Sequence, residues 1–297
     1  MIEYLRFAWT AFKANKIRFF LTTLGVFIGV TTIIIIFTII QSINEYIADE
    51  VAAFGTTTIY IDKFPWVITE NYFEYRNRPP ITLKEYEALD RNVTYTHWIS
   101  PIAGYRRNVK YRNERLERVL VTGCNERYPE TNNVVADIGR WFTASEVRSA
   151  RLVCVIGRNI WDELFRKQDA VGKRLKINGY PYRVIGIMEK KGNLFGFNMD
   201  NQIIVPYTAM RGYAYTWRGI SIAMKVDRPA KLEGLKHEAQ GILRRVRKVS
   251  PQEEDNFAIN QQNMLTDFYN QITGTAYIVI FLIGAVSLVV GGIGMAL

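Results

Sequence analysis

Residues 19–40 read FFLTTLGVFIGVTTIIIIFTII, 22 positions without one charged side chain. As a helix this run is about 33 Å long, against a bilayer hydrocarbon core of about 30 Å. Fifteen of the positions are Phe, Leu, Ile or Val. At roughly −0.3 to −0.6 kcal/mol each they favour insertion by about 5–9 kcal/mol, with no charge opposing. A buried core helix of this length would show a polar face, and this run has none. It is too long for the usual apolar stretch of a cleaved leader. The residues after it, Gln41-Ser42-Ile43-Asn44-Glu45, offer no small-x-small cleavage site. The sequence therefore predicts a first membrane span over 19–40.

A second charge-free run closes the chain. Residues 277–297 read YIVIFLIGAVSLVVGGIGMAL, 21 positions, again long enough to span. Flanking charge orients the pair. Arg6, Lys13, Lys16 and Arg18 precede the first run against Glu3 alone, whereas Glu45, Asp49 and Glu50 follow it. The excess of basic residues marks the cytoplasmic side. The N-terminus is then cytoplasmic and residues 41–276 lie outside the membrane. Within residues 1–18, Ile2, Leu5, Trp9 and Phe12 recur at helical spacing beside the basic residues. Two readings remain open for them: an amphipathic helix in the cytoplasmic interface, or the first turns of one longer helix.

The whole-chain averages conceal this division. The chain has 297 residues, a net charge of +10 and a mean hydropathy of −0.04, and it resembles an ordinary soluble protein. The 236 residues from 41 to 276 carry only +7. Nucleic-acid binding is excluded as a poor fit to a domain outside the membrane.

That outer segment alternates strand and helix signals. Thr56 to Ile61 is β-branched, and Thr82-Leu83-Lys84-Glu85 is a capping box opening a short helix. Val109–Tyr111 and Leu116–Thr122 read as a hairpin. Leu175–Ile177, Asn178-Gly179 and Tyr182–Ile187 read as a second hairpin, because Asn-Gly favours a type I′ turn. Strands are expected over 152–156, 202–205, 220–226 and 257–259, with helices over 159–166 and 231–248. Interleaved helices and hairpins predict an α+β fold.

Catalytic and metal signatures are missing. Gly172-Lys173 lacks the upstream glycine of a phosphate-binding loop, and Arg174 replaces its Ser/Thr. His97 and His237 are isolated. Asp200 reads as a turn residue rather than a ligand. Cys154 reads as a buried thiol; Cys124 could pair with it only if the fold brought them together. No metal or cofactor is expected on the chain. Two basic clusters stand out: Arg106, Arg107, Lys110, Arg112, Arg115 and Arg118, then Arg244, Arg245, Arg247 and Lys248. They read either as solvated faces or as contacts to anionic lipid or a partner. Small residues at Gly25 and Gly29, and at Gly284, Ser287, Gly291, Gly292 and Gly294, suit close helix packing in the spans.

The chain resembles the MacB-like, or FtsX-like, permeases of ABC transporters. Four stretches carry the resemblance. They are Asn15 to Val30, Gly139-Arg140-Trp141-Phe142-Thr143 with Glu146 and Val153–Gly157, Leu164 through Val171-Gly172-Lys173 to Ile204-Val205-Pro206, and Ser287 to Met295. Each is weak alone; in this order they are specific, and they cover essentially the whole chain. The resemblance implies a periplasmic core domain with a porter-like α+β part and an inserted β-rich lobe over about 116–205. It implies an inner-membrane permease without enzymatic activity of its own, and ATP bound by a separate ABC subunit. It implies a second permease, identical or paralogous, and possible adaptor or lipoprotein partners outside. In the mechanotransmission it implies, ATPase closure moves the spans and reshapes the outer domain to export or extract a drug, peptide or lipoprotein. A relative acting as regulator of a cell-wall hydrolase is the alternative. An anchored enzyme is disfavoured by the missing catalytic set. Two departures matter: no ATPase precedes the first span, and the later spans of the family are absent, so the chain reads as truncated.

Overall fold

The computed structural model describes residues 16–52, 57–68, 72–166, 168–194, 197–210 and 219–296. In chain order the elements are α1 (Lys16–Ala52), β1 (Thr58–Asp62), α2 (Tyr72–Asn77), α3 (Leu83–Asn92), β2 (Trp98–Tyr111), β3 (Glu114–Cys124), α4 (Tyr128–Asn132), β4 (Ala136–Gly139), α5 (Ala144–Arg148), β5 (Val153–Ile156), α6 (Arg158–Phe165), β6 (Arg174–Ile177), β7 (Tyr180–Met188), β8 (Asn193–Leu194), β9 (Phe197–Asn198), β10 (Gln202–Pro206), β11 (Ser221–Lys225), α7 (Leu232–Arg247), β12 (Ala258–Gln261) and α8 (Gln262–Ala296). The chain forms two compact units. One holds the two long terminal helices; the other runs from Glu50 to Leu265. The α+β expectation for the outer segment holds.

The larger unit is built in two parts that share one strand. In the first part the strand order is β12-β1-β11-β2, all antiparallel. Helix α3 connects β1 to β2, and α7 connects β11 to β12. This is a split βαβ plait, opened between β2 and β11 to admit everything else. Both helices start from sequence. Thr82 accepts from the backbone of Lys84, while the Glu85 carboxylate takes the Thr82 N–H at 3.0 Å, the expected capping box. Helix α7 buries Leu232, Leu235, Ala239 and Leu243 at helical spacing and leaves its charged face in solvent. These residues meet Ile59, Ile61, Leu89, Ile99, Ile222 and Met224 in one core. Burial of each large side chain stabilises by about 1.5–3 kcal/mol.

The second part is a closed ring. Residues 98–102 of β2 pair with β11, and residues 103–111 pair with β3. From β3 the order continues β10-β5-β7, and β6 pairs with both β7 and β2. Strands β2, β3, β10, β5, β7 and β6 therefore close on themselves, and β4 pairs with the far end of β7. The ring begins at residue 103, within β2. Its interior holds Val109, Val121, Ile156, Leu175, Ile177, Tyr182, Val184 and Ile203, with Ile160, Leu164 and Phe165 of α6 entering it. Asn178 and Gly179 turn β6 into β7 at positive φ, 48° and 89°, as the Asn-Gly signal predicts. The hairpin between β2 and β3 is tighter than the sequence suggests: Arg112 and Asn113 alone form the turn. A third cluster, with Cys124, Tyr128, Phe142, Val147, Val155 and Ile204, covers part of the outer wall beneath α4 and α5.

One buried ion pair fixes the end of α7. The Arg247 guanidinium donates to Glu85 at 2.8 Å, to Asn256 Oδ1 at 2.6 Å and to the Pro79 carbonyl at 2.8 Å. The two side chains are only 3% and 9% exposed. Removing one partner strands a buried charge, at about 3–5 kcal/mol. Arg247→Met should therefore destabilise the protein by that amount in thermal or denaturant unfolding. Adding Glu85→Gln to the same chain should recover part of the loss.

Candidate functional site

The long helices carry the first candidate. Helix α1 extends the expected first span at both ends, and α8 starts well before Tyr277. Windows at Thr23–Ser42 and Gln262–Val286 are long and apolar enough to cross a membrane. Phe20, Phe27, Ile34 and Phe281 are each more than half exposed, a display that water-soluble proteins avoid. The hydroxyls of Thr38, Thr273 and Thr275 donate to carbonyls one turn back, at 2.8, 3.0 and 3.1 Å. That satisfies them without solvent.

The two helices run antiparallel and touch each other. A Cβ on Gly284 would stand 2.8 Å from Ile33 Cδ1, and Phe37 meets Tyr277 at 6.4 Å between ring centroids. Ile40 and Ile280 are buried. Gly29 is buried as well, whereas Gly25 has open space around its Cβ position. Ser287, Gly291, Gly292 and Gly294 lie in α8 beyond the described side chains. Of the basic residues before the first span, Lys16 is exposed and Arg18 lies in α1. Arg6 and Lys13, with the amphipathic reading of residues 1–15, fall outside the described residues.

Among the described residues no three His, Cys, Asp or Glu side chains cluster as metal ligands, and His97 and His237 are both exposed. Gly172-Lys173 forms a turn into strand β6 rather than a loop before a helix, so it cannot cradle phosphate. Asp200 is buried and accepts from the N–H groups of Lys191 and Gly192 at 2.8 and 3.0 Å; it shapes a turn. Cys124 and Cys154 are free thiols in different cores, and burial pushes both well above the usual thiol range.

The stretch around Gly139 proves structural. Gly139 has φ +83°, and a Cβ there would fall 2.4 Å from the Ile185 carbonyl oxygen. Thr143 caps α5, with Glu146 completing the box. Arg140 grips the same carboxylate with both terminal nitrogens at 2.8 and 2.9 Å. This bidentate contact and the Thr143 N–H hold the Glu146 carboxyl down at about 2.

The basic clusters divide by role. In the second, Arg247 and Arg244 are bound into the fold by Glu85 and Asp255, which leaves Arg245 and Lys248 exposed. In the first, Arg112 lies over the Tyr111 ring and Arg107 over that of Tyr105. Arg106, Lys110 and Arg115 point outward from the ring wall.

The sequence model of the MacB-like periplasmic core domain matches residues 19–242. The chain belongs to that family. This MacB-like chain is 27% identical over 299 residues to the macrolide export ATP-binding/permease protein MacB of Neisseria meningitidis, covering 99% of itself and 44% of that relative. It is 26% identical to the pyoverdine export ATP-binding/permease protein PvdT of Pseudomonas putida, with the same coverage. The chain thus spans less than half the length of these curated relatives. The solved periplasmic region of MacB from Actinobacillus actinomycetemcomitans superposes with a TM-score of 0.59 at 16% identity, over 75% of this chain and 97% of that one. The extracellular domain of the ABC-type transporter YknZ from Gram-positive bacteria gives 0.53 at 17% identity, over 68% and 98%. The fold of the MacB-like outer domain is the one these structures share.

Two outcomes follow from the geometry. Oxidation of an Ile33→Cys/Gly284→Cys chain in membranes should consume both introduced thiols within one molecule, read by mass spectrometry; unreacted thiols would contradict the helix pairing. For Glu146, a depressed carboxyl pKa gives stability that is present above the ordinary range, near 4.5, and is lost as pH falls toward about 2. Unfolding midpoints should drop across that window, and Glu146→Gln should flatten the drop.

Proposed function

We propose that this chain is the permease portion of a MacB-type ABC exporter in the bacterial inner membrane. The family match over 19–242 carries this reading, together with alignment over 99% of this chain to proteins named as ATP-binding/permease exporters. The basic flank of α1 supports a cytoplasmic N-terminus, with the domain of residues 57–261 in the periplasm. ATP is bound by an ABC module outside these residues, a reading supported by relatives named as ATP-binding/permease proteins of which this chain covers 44%. A second permease completes the pair. Hydrolysis would move the helices, and the outer domain would change shape around a drug, peptide or lipoprotein, with an adaptor or lipoprotein partner on the periplasmic side. The antiparallel α1–α8 contact suits this role, since a small residue at the crossing permits close sliding of one helix on the other.

Purification of the full-length protein from native membranes in mild detergent tests the reading. An ABC ATP-binding polypeptide with ATPase activity should accompany it. Recovery of the protein without any ATP-binding component would overturn it.

A further inference from the structure

The ring has an outer wall that is only partly covered. Where α4 and α5 lie over it, the outward side chains are Val153, Val155, Ile185 and Ile204, buried in the third core. Beyond that cover the same wall turns basic. Lys110 on β2 stands directly opposite Arg115 on β3 and Lys176 on β6, so three cations lie in one row across three strands. Two residues along β6, Arg174 stands opposite Arg183 on β7. Arg106 lies on the same side of β2 as Lys110, two alternations away. All six side chains are exposed. The carboxylate on this wall is Glu117, which pairs with Arg115 at 3.3 Å. Lys176, Arg174 and Arg183 are distant in sequence from the 106–118 cluster and join it only because β6 closes the ring.

Like charges directly opposite on a sheet are destabilising. The fold keeps two such contacts in the row and a third beside it, with the Glu117 carboxylate on Arg115 to offset them. Paired positions stand about 4.5–5.5 Å apart across strands, and alternate positions about 6.8 Å apart along one strand. Acidic residues three or four apart on a helix stand at about 5–6 Å, and guanidinium forks match carboxylates in two-pronged fashion. Nothing encloses a small anion here, as a site for one would need. Faces that enter a bilayer interface combine Lys and Arg with Trp, Phe or Leu. Tyr180, 40% exposed at the start of β7, shares the face of Tyr182 by strand alternation rather than that of Arg183.

We propose that the basic outer wall of the ring, formed by Arg106, Lys110, Arg115, Arg174, Lys176 and Arg183, docks the carboxylate-rich face of a protein partner, such as a helix with acidic residues three or four apart. The wall is small beside a standard interface of about 800 Å² per partner. It therefore acts as the electrostatic centre of a salt-sensitive, reversible contact.

The test uses the full chain in nanodiscs of neutral phosphatidylcholine and a fluorescein-labelled helical peptide with glutamates at i, i+4 spacing. Anisotropy should show binding that weakens at least tenfold between 50 and 300 mM NaCl, as expected for screened surface charge. Lys110→Glu/Lys176→Glu should lose at least tenfold in affinity. Arg245→Glu/Lys248→Glu makes the same change in net charge at the C-terminal end of α7 and should stay within twofold of the parent. Arg174→Gln/Arg183→Gln, which relieves a like-charge pair, guards against misfolding: it should melt no lower than the parent and still bind more weakly. Equal losses in the sheet and helix variants would overturn the proposal. So would an unbound peptide, or binding by this wall to phosphatidylglycerol vesicles in place of the peptide.

Discussion

The outer domain depends on one continuous strand serving two sheets. Strand β2 gives its first five residues to the plait and its remaining nine to the ring. Both pairings satisfy backbone groups along the one strand, and unmet backbone groups in a buried strand cost heavily. The two parts consequently lie within one compact unit rather than on a flexible linker. Tyr105 and Met210 pack against the first core, and Met210 also reaches the second. A Cβ on Gly123 would stand 1.9 Å from Met210 Sδ. A larger residue at this seam would have to displace the Met210 side chain.

Much of this architecture is legible in the residues because it is local. A capping box names its own helix start, as Thr82 with Glu85 does. Asn178-Gly179 states its turn type. The charge-free run from Phe19 declares a membrane-length helix without reference to anything else. Closure of the ring is different in kind. It rests on β6 meeting β2, with Lys176 beside Lys110, across more than sixty residues of sequence, and no periodicity encodes that meeting. The plait order is hidden for the same reason, since β1 and β12 are neighbours drawn from opposite ends of the domain.

The surface was legible only in part. Arginines 106 to 118 announce a basic hairpin, yet their neighbours Arg174, Lys176 and Arg183 arrive from a different hairpin. Conversely, Arg244 and Arg247 look in sequence like half of a second basic face. Burial against Asp255 and Glu85 turns them inward. A run of cations states its charge but not its direction, and direction is set by which carboxylates the fold delivers.

Ring closure also separates two kinds of information carried by the same strands. Inward side chains such as Val109, Leu175 and Tyr182 decide whether the ring exists, whereas the outward ones between them take little part in that packing. Substitutions on the uncovered wall can therefore accumulate without threatening the scaffold. Closely similar rings could present quite different exteriors, each suited to its own company, while the hydrogen-bonded frame beneath stays the same.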